Sequence, residues 1–355
     1  MSTTSFAKKS STPPPASMGL PPQLVLARMM SGYAVSQLIY VVVKLGIPDL
    51  LADGPLTLEE LTAGTKAHPQ SLLRLMRGVA AVGLFEEVNE RQFALTALGQ
   101  YLRADVPDSL APMALFSQDS YQAWGHLLHA VETGETAFPH VFGVHRYQYL
   151  EQHPDAAVRF NAAMSVLSSQ LRRAVVAAYD FSRFKTAVDV GGGQGGLLLD
   201  ILQANSTLRG ILFDTASVVQ TITQNRVTAG VAERCKTIAG DFFKAVPGGG
   251  DVYLLAHVIH NWDDDQSSSI LENCAQGMDP QGTLLIIEMI MPEQCGPSPA
   301  TYPLVMTDLQ MLVMTGGRER TEAEFRALLE RAGFELKRII PTQALESIIE
   351  CVRST

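Results

Sequence analysis

Three polar residues stand against apolar surroundings in the second half of the chain, and their types suit proton transfer. His260 follows the run Asp251 to Ile259, which reads as a strand. An imidazole titrating near neutrality, just past a strand's C-terminal end, is placed to take a proton from a hydroxyl group. Its other reading is a histidine that caps the next helix. Glu288 interrupts the apolar run LLIIEMI, where a buried carboxylate is costly unless paired. Glu319 lies in TGGRERT, a glycine-flexed loop before a capped helix. Either acid could orient the imidazole and stabilise its protonated form; the other reading of Glu319 is a solvated pair with Arg318 or Arg320. His257 is expected to point away by strand alternation, and Asp263 to Asp265 to cap the following helix.

A glycine run carries a second kind of chemistry. DVGGGQGG, Asp189 to Gly196, joins a strand to a helix, where glycines let the backbone turn sharply and approach a ligand. Gly191, Gly193 and Gly196 satisfy G-x-G-x-x-G, while Asp189, Gly191, Gly193 and Gly195 satisfy D-x-G-x-G-x-G. Taken alone, the loop fits a nicotinamide dinucleotide or S-adenosylmethionine equally well. Asp189 separates them, because its carboxylate suits the cationic amino-acid end of S-adenosylmethionine and opposes a pyrophosphate. Asp214 ends the second strand, at the spacing of a carboxylate that accepts from ribose hydroxyls. Its other reading is a helix N-cap. Asp241 and Phe242 suit an adenine pocket, with Phe242 as plain core the competing reading, and Trp262 can pack on an adenine face.

These residues need a frame. Segments TAVDV, Gly210 to Asp214, Cys235 to Asp241, Asp251 to Ile259 and Gly282 to Ile290 read as strands alternating with helices. FELKRII and LESIIECV then read as an antiparallel hairpin. The pattern predicts an α/β fold, a doubly wound, mostly parallel seven-stranded sheet. In that fold the fourth strand neighbours the first at the topological switch point, so His260 should face the ligand of the glycine loop.

The N-terminal half reads differently. Pro21 to Leu51 is helical and strongly apolar, and is expected to be buried on most sides, partly by a partner subunit. Thr57 and Glu60 have capping-box spacing, a helix runs from about Pro69 to Val82, and Phe85 to Val88 and Gln92 to Leu95 form a small hairpin. This is a winged-helix pattern. Between Leu51 and Asp105 it carries five basic and seven acidic residues, which favours a dimerisation platform over DNA binding. Ser109 to Tyr179 reads as helical, with a looser part, TGETAFPHVFGVHRY, over the active site. The expected division is 1–18 a disordered Ser/Thr/Pro-rich tail, 19–108 the winged-helix-like domain, 109–180 a helical linker and acceptor-pocket region, and 181–355 the cofactor domain.

Composition excludes several classes. The 355 residues carry a net charge of −9, which opposes general nucleic-acid binding. No apolar run is long enough to span a bilayer, and the N-terminus lacks the apolar core of a signal peptide. Cys235, Cys274, Cys295 and Cys351 are scattered without metal-ligand spacing, so neither a disulfide framework nor a metal is expected, and a cytoplasmic location fits.

DVGGGQGG, GILFD, GDFF, HVIHNWDDD, LLIIEMIMPE and GGRERTEAEF, in this order, resemble the small-molecule O-methyltransferases of the caffeic-acid and hydroxyneurosporene type. The N-terminus is similar to that family's dimerisation domain, and the likeness covers nearly the whole chain after about residue 20. It implies a class I methyltransferase fold, a homodimer, S-adenosylmethionine as donor and S-adenosylhomocysteine as product. It implies His260 as general base flanked by Glu288 and Glu319. Gly191, Asp214, Asp241, Phe242 and Trp262 match cofactor positions. Met164, in RFNAAMS, matches a position that packs on the acceptor ring; Asn161 in the same segment and Asp308 are grouped with it. Asn261 stands where the family usually has Asp, and Ala256 where Lys is common. The expected reaction is methylation of a hydroxyl on a small phenolic or polyketide-like acceptor by direct displacement. N- or C-methylation on the same scaffold, a non-catalytic winged-helix regulator and a nicotinamide oxidoreductase are the alternatives.

Overall fold

The computed structural model describes residues 20–221 and 231–354, so the expected tail at 1–18 lies outside the described residues. Three short strands come first: β1 (Leu56–Thr57), β2 (Phe85–Asn89) and β3 (Gln92–Leu95), paired in the order β1-β3-β2. Thr57 and Glu60 close the expected capping box, and the helix Pro69–Ala81 buries Leu72, Met76 and Val79 against Phe85 and Phe93. The winged-helix pattern is therefore present.

The apolar N-terminal stretch is helical, as its pattern predicts. It is three helices, Pro22–Met30, Gly32–Lys44 and Ile47–Leu50, because the chain breaks at Ser31 and turns at Gly46, whose φ of +68° suits glycine. It is also poorly covered: Leu24, Leu26, Met29, Met30 and Tyr33 are exposed, the two methionines at 71%. No described residue of a single chain covers them. Among the described residues no single helix is long and apolar enough to cross a membrane.

The larger sheet is made of β4 (Thr186–Val190), β5 (Arg209–Asp214), β6 (Cys235–Ala239), β7 (Val252–Ala256) and β8 (Thr283–Glu288). A separate two-residue ladder pairs β9 (Ile290–Met291) with β10 (Arg320–Thr321). Strands β11 (Phe334–Pro341) and β12 (Ser347–Arg353) complete the seven-stranded order β11-β12-β8-β7-β4-β5-β6. Only β12 runs antiparallel to its neighbours, β8 and β11. Residues of β4, β7 and β8 are almost all buried, as strands covered on both faces by helices must be. One face packs on the helices Asp264–Gly277 and Glu322–Arg331, the other on Gly196–Ala204 and the end of the long helix Pro154–Ala178. Strand β4 lies between β5 and β7, so the loops after β4 and β7 share one edge at the switch point.

Three strands stop sooner than the sequence suggests, β6 at Ala239 among them. Strand β7 stops at Ala256, because His257 takes a left-handed φ of +53° and Ile259–Asn261 form a tight 3₁₀ turn. Strand β8 stops at Glu288 before the short β9. The looser segment after Thr133 also holds a helix, Ala137–Phe142, which packs on the helices Ala111–Trp124 and Thr301–Met314 through Phe138, Val313 and Met314.

Candidate active site

His260 sits in the 3₁₀ turn beyond β7 and is almost fully buried. Its Nδ1 lies 2.6 Å from Glu319 Oε1 and 3.3 Å from Glu288 Oε2. The His260 backbone N–H donates to Glu288 Oε1 at 3.3 Å. Two acceptors on one ring nitrogen fix the proton there, which leaves Nε2 as the basic atom of the neutral ring. No described residue partners Nε2. Burial opposes a charge on the ring, but the two glutamates outweigh it and raise the His260 pKa to about 9. The imidazole therefore titrates well above the near-neutral range expected from sequence. Burial also holds Glu288 above the usual carboxylate range, partly offset by the His260 charge.

The two glutamates meet through the β9–β10 ladder, in which Arg320 lies opposite Ile290. Glu319 is buried, contrary to its reading as a solvated loop charge. Arg318 pairs instead with Glu324 and Asp264. Arg320 is fully buried and donates to the carbonyls of Ile259 and Trp262, to Asp264 Oδ1 and to Ser267 Oγ, stitching the Glu319 loop to the His260 turn. Gly317 is required at this seam, since a Cβ there would overlap the His260 carbonyl and the Trp262 nitrogen. Behind His260, the His257 ring stacks at 5.1 Å and its Nε2 meets Glu346 Oε1 at 3.0 Å. Asn261 donates its amide to the His257 carbonyl at 2.9 Å, a bond that an aspartate could not supply.

On the neighbouring loop, Gly191, Gly193 and Gly195 have φ of +70°, +57° and +75°, a region open chiefly to glycine. The Gly193 N–H donates to Asp214 Oδ2 at 2.8 Å, and Asp214 Oδ1 accepts from the Thr215 N–H. Asp214 thus holds the glycine loop, and the next helix begins two residues on, at Ala216. Asp189 is 1% exposed, and neither of its oxygens has a hydrogen-bond partner. Burial and then the charge of Asp214 push its pKa up to about 7. A buried carboxylate beside a glycine turn whose Gly191, Gly192, Gly193 and Gly195 N–H groups already donate to Phe213, Asp214 and Gly192 fits a ligand with a cationic end. It does not fit a pyrophosphate. Trp262 is buried, stacked on His145 and Tyr147 at 5.6 and 5.5 Å and met edge-on by Phe242 and Phe243. Phe242 packs on the same core, close to Gly191. Asp241 lies past the end of β6, 42% exposed, paired with Lys244 at 3.0 Å and accepting from the Phe243 N–H.

Two family models match the chain: an O-methyltransferase domain over residues 124–335 and an O-methyltransferase dimerisation domain over residues 27–105. The chain belongs to this O-methyltransferase family. It is 44% identical over 332 residues to the phenazine O-methyltransferase PhzM of Lysobacter antibioticus, covering 93% of this chain and 96% of that protein. It is 35% identical over 324 residues to an 8-amino-8-demethylriboflavin N,N-dimethyltransferase of Streptomyces davaonensis, covering 89% and 91%. The crystal structure of LaPhzM superposes with a TM-score of 0.89 at 44% identity, covering 94% of this chain and 100% of that one. An O-methyltransferase from neocarzinostatin biosynthesis, solved with S-adenosylmethionine and 2-hydroxy-5-methyl naphthoic acid, gives 0.81 at 29% identity, covering 90% and 96%. The chain has the class I methyltransferase fold and uses S-adenosylmethionine, and its dimerisation domain supports a homodimer.

The acceptor side of the O-methyltransferase holds the residues that sequence reading placed least well. Asn161 and Met164 lie half-buried on the helix Pro154–Ala178. Asp308 accepts from the Glu319 N–H at 2.9 Å, so it holds the Glu319 loop rather than standing free. Arg320, Glu346 and Arg146 were not singled out from sequence. Only Arg320 carried a local signal, its place beside Glu319; the others depend on contacts across the fold.

Proposed function

We propose that this O-methyltransferase methylates a hydroxyl group of a small aromatic metabolite, with His260 as general base. The observation that carries the reading is the His260 ring, held through Nδ1 by two buried glutamates with Nε2 unpartnered. Hydroxylated aromatics suit it because an imidazole raised to about 9 is closely matched to a phenol, which titrates near ~10. Glu288 and Glu319 keep the ring oriented and stabilise the imidazolium once it has the proton. The names of relatives, which include a phenazine and a naphthoic acid, support an aromatic acceptor.

S-adenosylmethionine, when bound, supplies a methyl group activated on a sulfonium for displacement by the acceptor oxygen. Asp189 would meet its ammonium, the Gly191–Gly193 turn its amino-acid end, Asp214 its ribose hydroxyls, and Asp241, Phe242 and Trp262 its adenine. Asn161, Met164 and Asp308 would border the acceptor. Holding both reactants in line can supply ~7–11 kcal/mol, and the base a further ~10²–10⁴-fold. Residues 19–108 serve as the dimerisation domain, with the exposed Leu24, Leu26, Met29, Met30 and Tyr33 against the partner. Residues 109–180 cover the acceptor, and 181–355 bind the donor.

N-methylation is a second reading, supported by the relative named as an N,N-dimethyltransferase. A panel of phenols with matching anilines, assayed with labelled methyl donor, separates the two. Label on oxygen, abolished in His260→Ala, is the expected result. Label on nitrogen that survives in His260→Ala would overturn the base assignment.

A further inference from the structure

An arginine without a counter-ion lies in the acceptor wall. Arg146 opens the helix Arg146–Gln152, is 2% exposed, and has no hydrogen-bond partner on Nη1 or Nη2. Its guanidinium carbon lies 5.2, 5.0 and 5.5 Å from the ring centroids of Phe116, Phe138 and Phe160. Such rings attract a cation through their faces, but they give it neither a counter-charge nor a lone-pair acceptor. The carboxylate with the largest electrostatic hold on Arg146 is Asp119, whose Oδ1 is engaged by Arg159 Nη2 at 2.9 Å. Two cations thus share one anion inside the helical wall. A buried guanidinium left this way is costly, and its planar fork matches a carboxylate.

The position of Arg146 ties this charge to the reaction site. Its neighbours His145 and Tyr147 both stack on Trp262, two residues beyond His260. Tyr147 also meets the Phe160 ring edge-on at 6.5 Å, and Phe160 adjoins Asn161. The guanidinium packs on Phe160, next to Asn161, while its chain neighbours His145 and Tyr147 pack on Trp262.

We propose that Arg146 anchors an ionised carboxyl group of the acceptor, so that the enzyme selects hydroxyarene acids over their neutral counterparts. The inference rests on the hydroxyl-methylation reading above and narrows its substrate class. Both carboxylate oxygens pair with Nη1 and Nη2. Phe160, the least buried of the three cage rings, moves aside to admit them. Asp119 is held through Oδ1 by Arg159, and Arg146 does not hydrogen-bond to its buried, unpartnered Oδ2, which leaves the fork free for the ligand.

Hydroxybenzoic and hydroxynaphthoic acids, assayed against their methyl esters, test this with wild-type enzyme alone. The acids should be preferred in kcat/KM by about 100-fold, the size of loss when a buried charged pair loses one partner. Arg146→Gln should lower kcat/KM for the acids by a similar factor while changing the esters by less than about threefold, and Arg146→Lys should fall between. S-adenosylhomocysteine binding should not change. Esters methylated as well as acids by the wild type would overturn the anchor and leave hydroxyl methylation standing. An equal loss for acids and esters in Arg146→Gln would make the residue structural and overturn it too. If no compound is methylated, the hydroxyl reading fails. Calorimetry of the acids with the S-adenosylhomocysteine complex then decides Arg146: acids bound no better than esters would overturn it. Should Arg146→Gln not fold, the wild-type ratio and Arg146→Lys carry the test.

Discussion

The proposed donor and acceptor walls are built from different material. The donor wall is made of strand ends and backbone: the glycine turn after β4, Asp214 at the end of β5, and Asp189 buried beneath them. The proposed acceptor wall is made of side chains on five helices, with Asp308, Arg146 and the Phe116–Phe138–Phe160 cage contributed from far apart in the chain. Backbone geometry fixes what the first wall can hold. The second depends on which side chains the helices present, and it borders an apolar N-terminal surface that a single chain leaves uncovered.

If the walls act separately, variants should divide cleanly between them. His260→Ala should lower turnover by ~10²–10⁴-fold while S-adenosylhomocysteine affinity, read by calorimetry, stays within about twofold. A comparable loss of affinity would mean that the walls are coupled. Asp189→Asn should do the reverse on the donor side, weakening S-adenosylmethionine binding by about tenfold, the scale of one charge-assisted hydrogen bond. The same change should raise the melting temperature of the ligand-free protein at pH 8, by about 2–4 °C for roughly 1 kcal/mol. Its pKa is raised from the ordinary 3.8 to about 7, so stability falls as pH rises between those values, and the ionised carboxylate exacts its full cost at pH 8.

A third outcome concerns pH. With His260 near 9, kcat should climb about tenfold per pH unit below that value and then level off. Glu319→Gln should move the inflection to lower pH, because one anion beside the imidazolium is gone. For stability the sign is opposite. The raised His260 pKa contributes fully below its ordinary 6.5, and the contribution is lost as pH rises through about 9. Gly317→Ala should cost about 1–3 kcal/mol in denaturant unfolding, by forcing the Glu319 loop off the His260 turn. The smallest effect on chemistry should follow Met29→Glu with Met30→Glu. These exposed positions should shift the assembly toward monomer in sedimentation while the donor affinity stays within about twofold.

Much of the donor wall was legible before any coordinates. The glycine run, Asp214 at the end of β5 and the capping box at Thr57 are local: backbone conformation and near neighbours decide them. The strand ends were less so. His257 turns left-handed and ends β7 early, and no periodicity foretells that. Asp241 carried the right residue type for an adenine acid, yet its surroundings include a Lys244 pair that spacing did not announce.

By itself, the sequence determined the fold class, the winged-helix and seven-stranded organisation, and the residue types at the loop and at His260, because these follow from hydrophobic period, turn chemistry and short-range hydrogen bonds. The tertiary structure alone decided that Glu288 and Glu319 converge on one imidazole nitrogen. It decided that Arg320 stitches the two loops and that Arg146 lies unpaired among three rings. These depend on groups tens of residues apart meeting in a medium of low dielectric. There a charge's worth is set by what surrounds it, and only packing determines that.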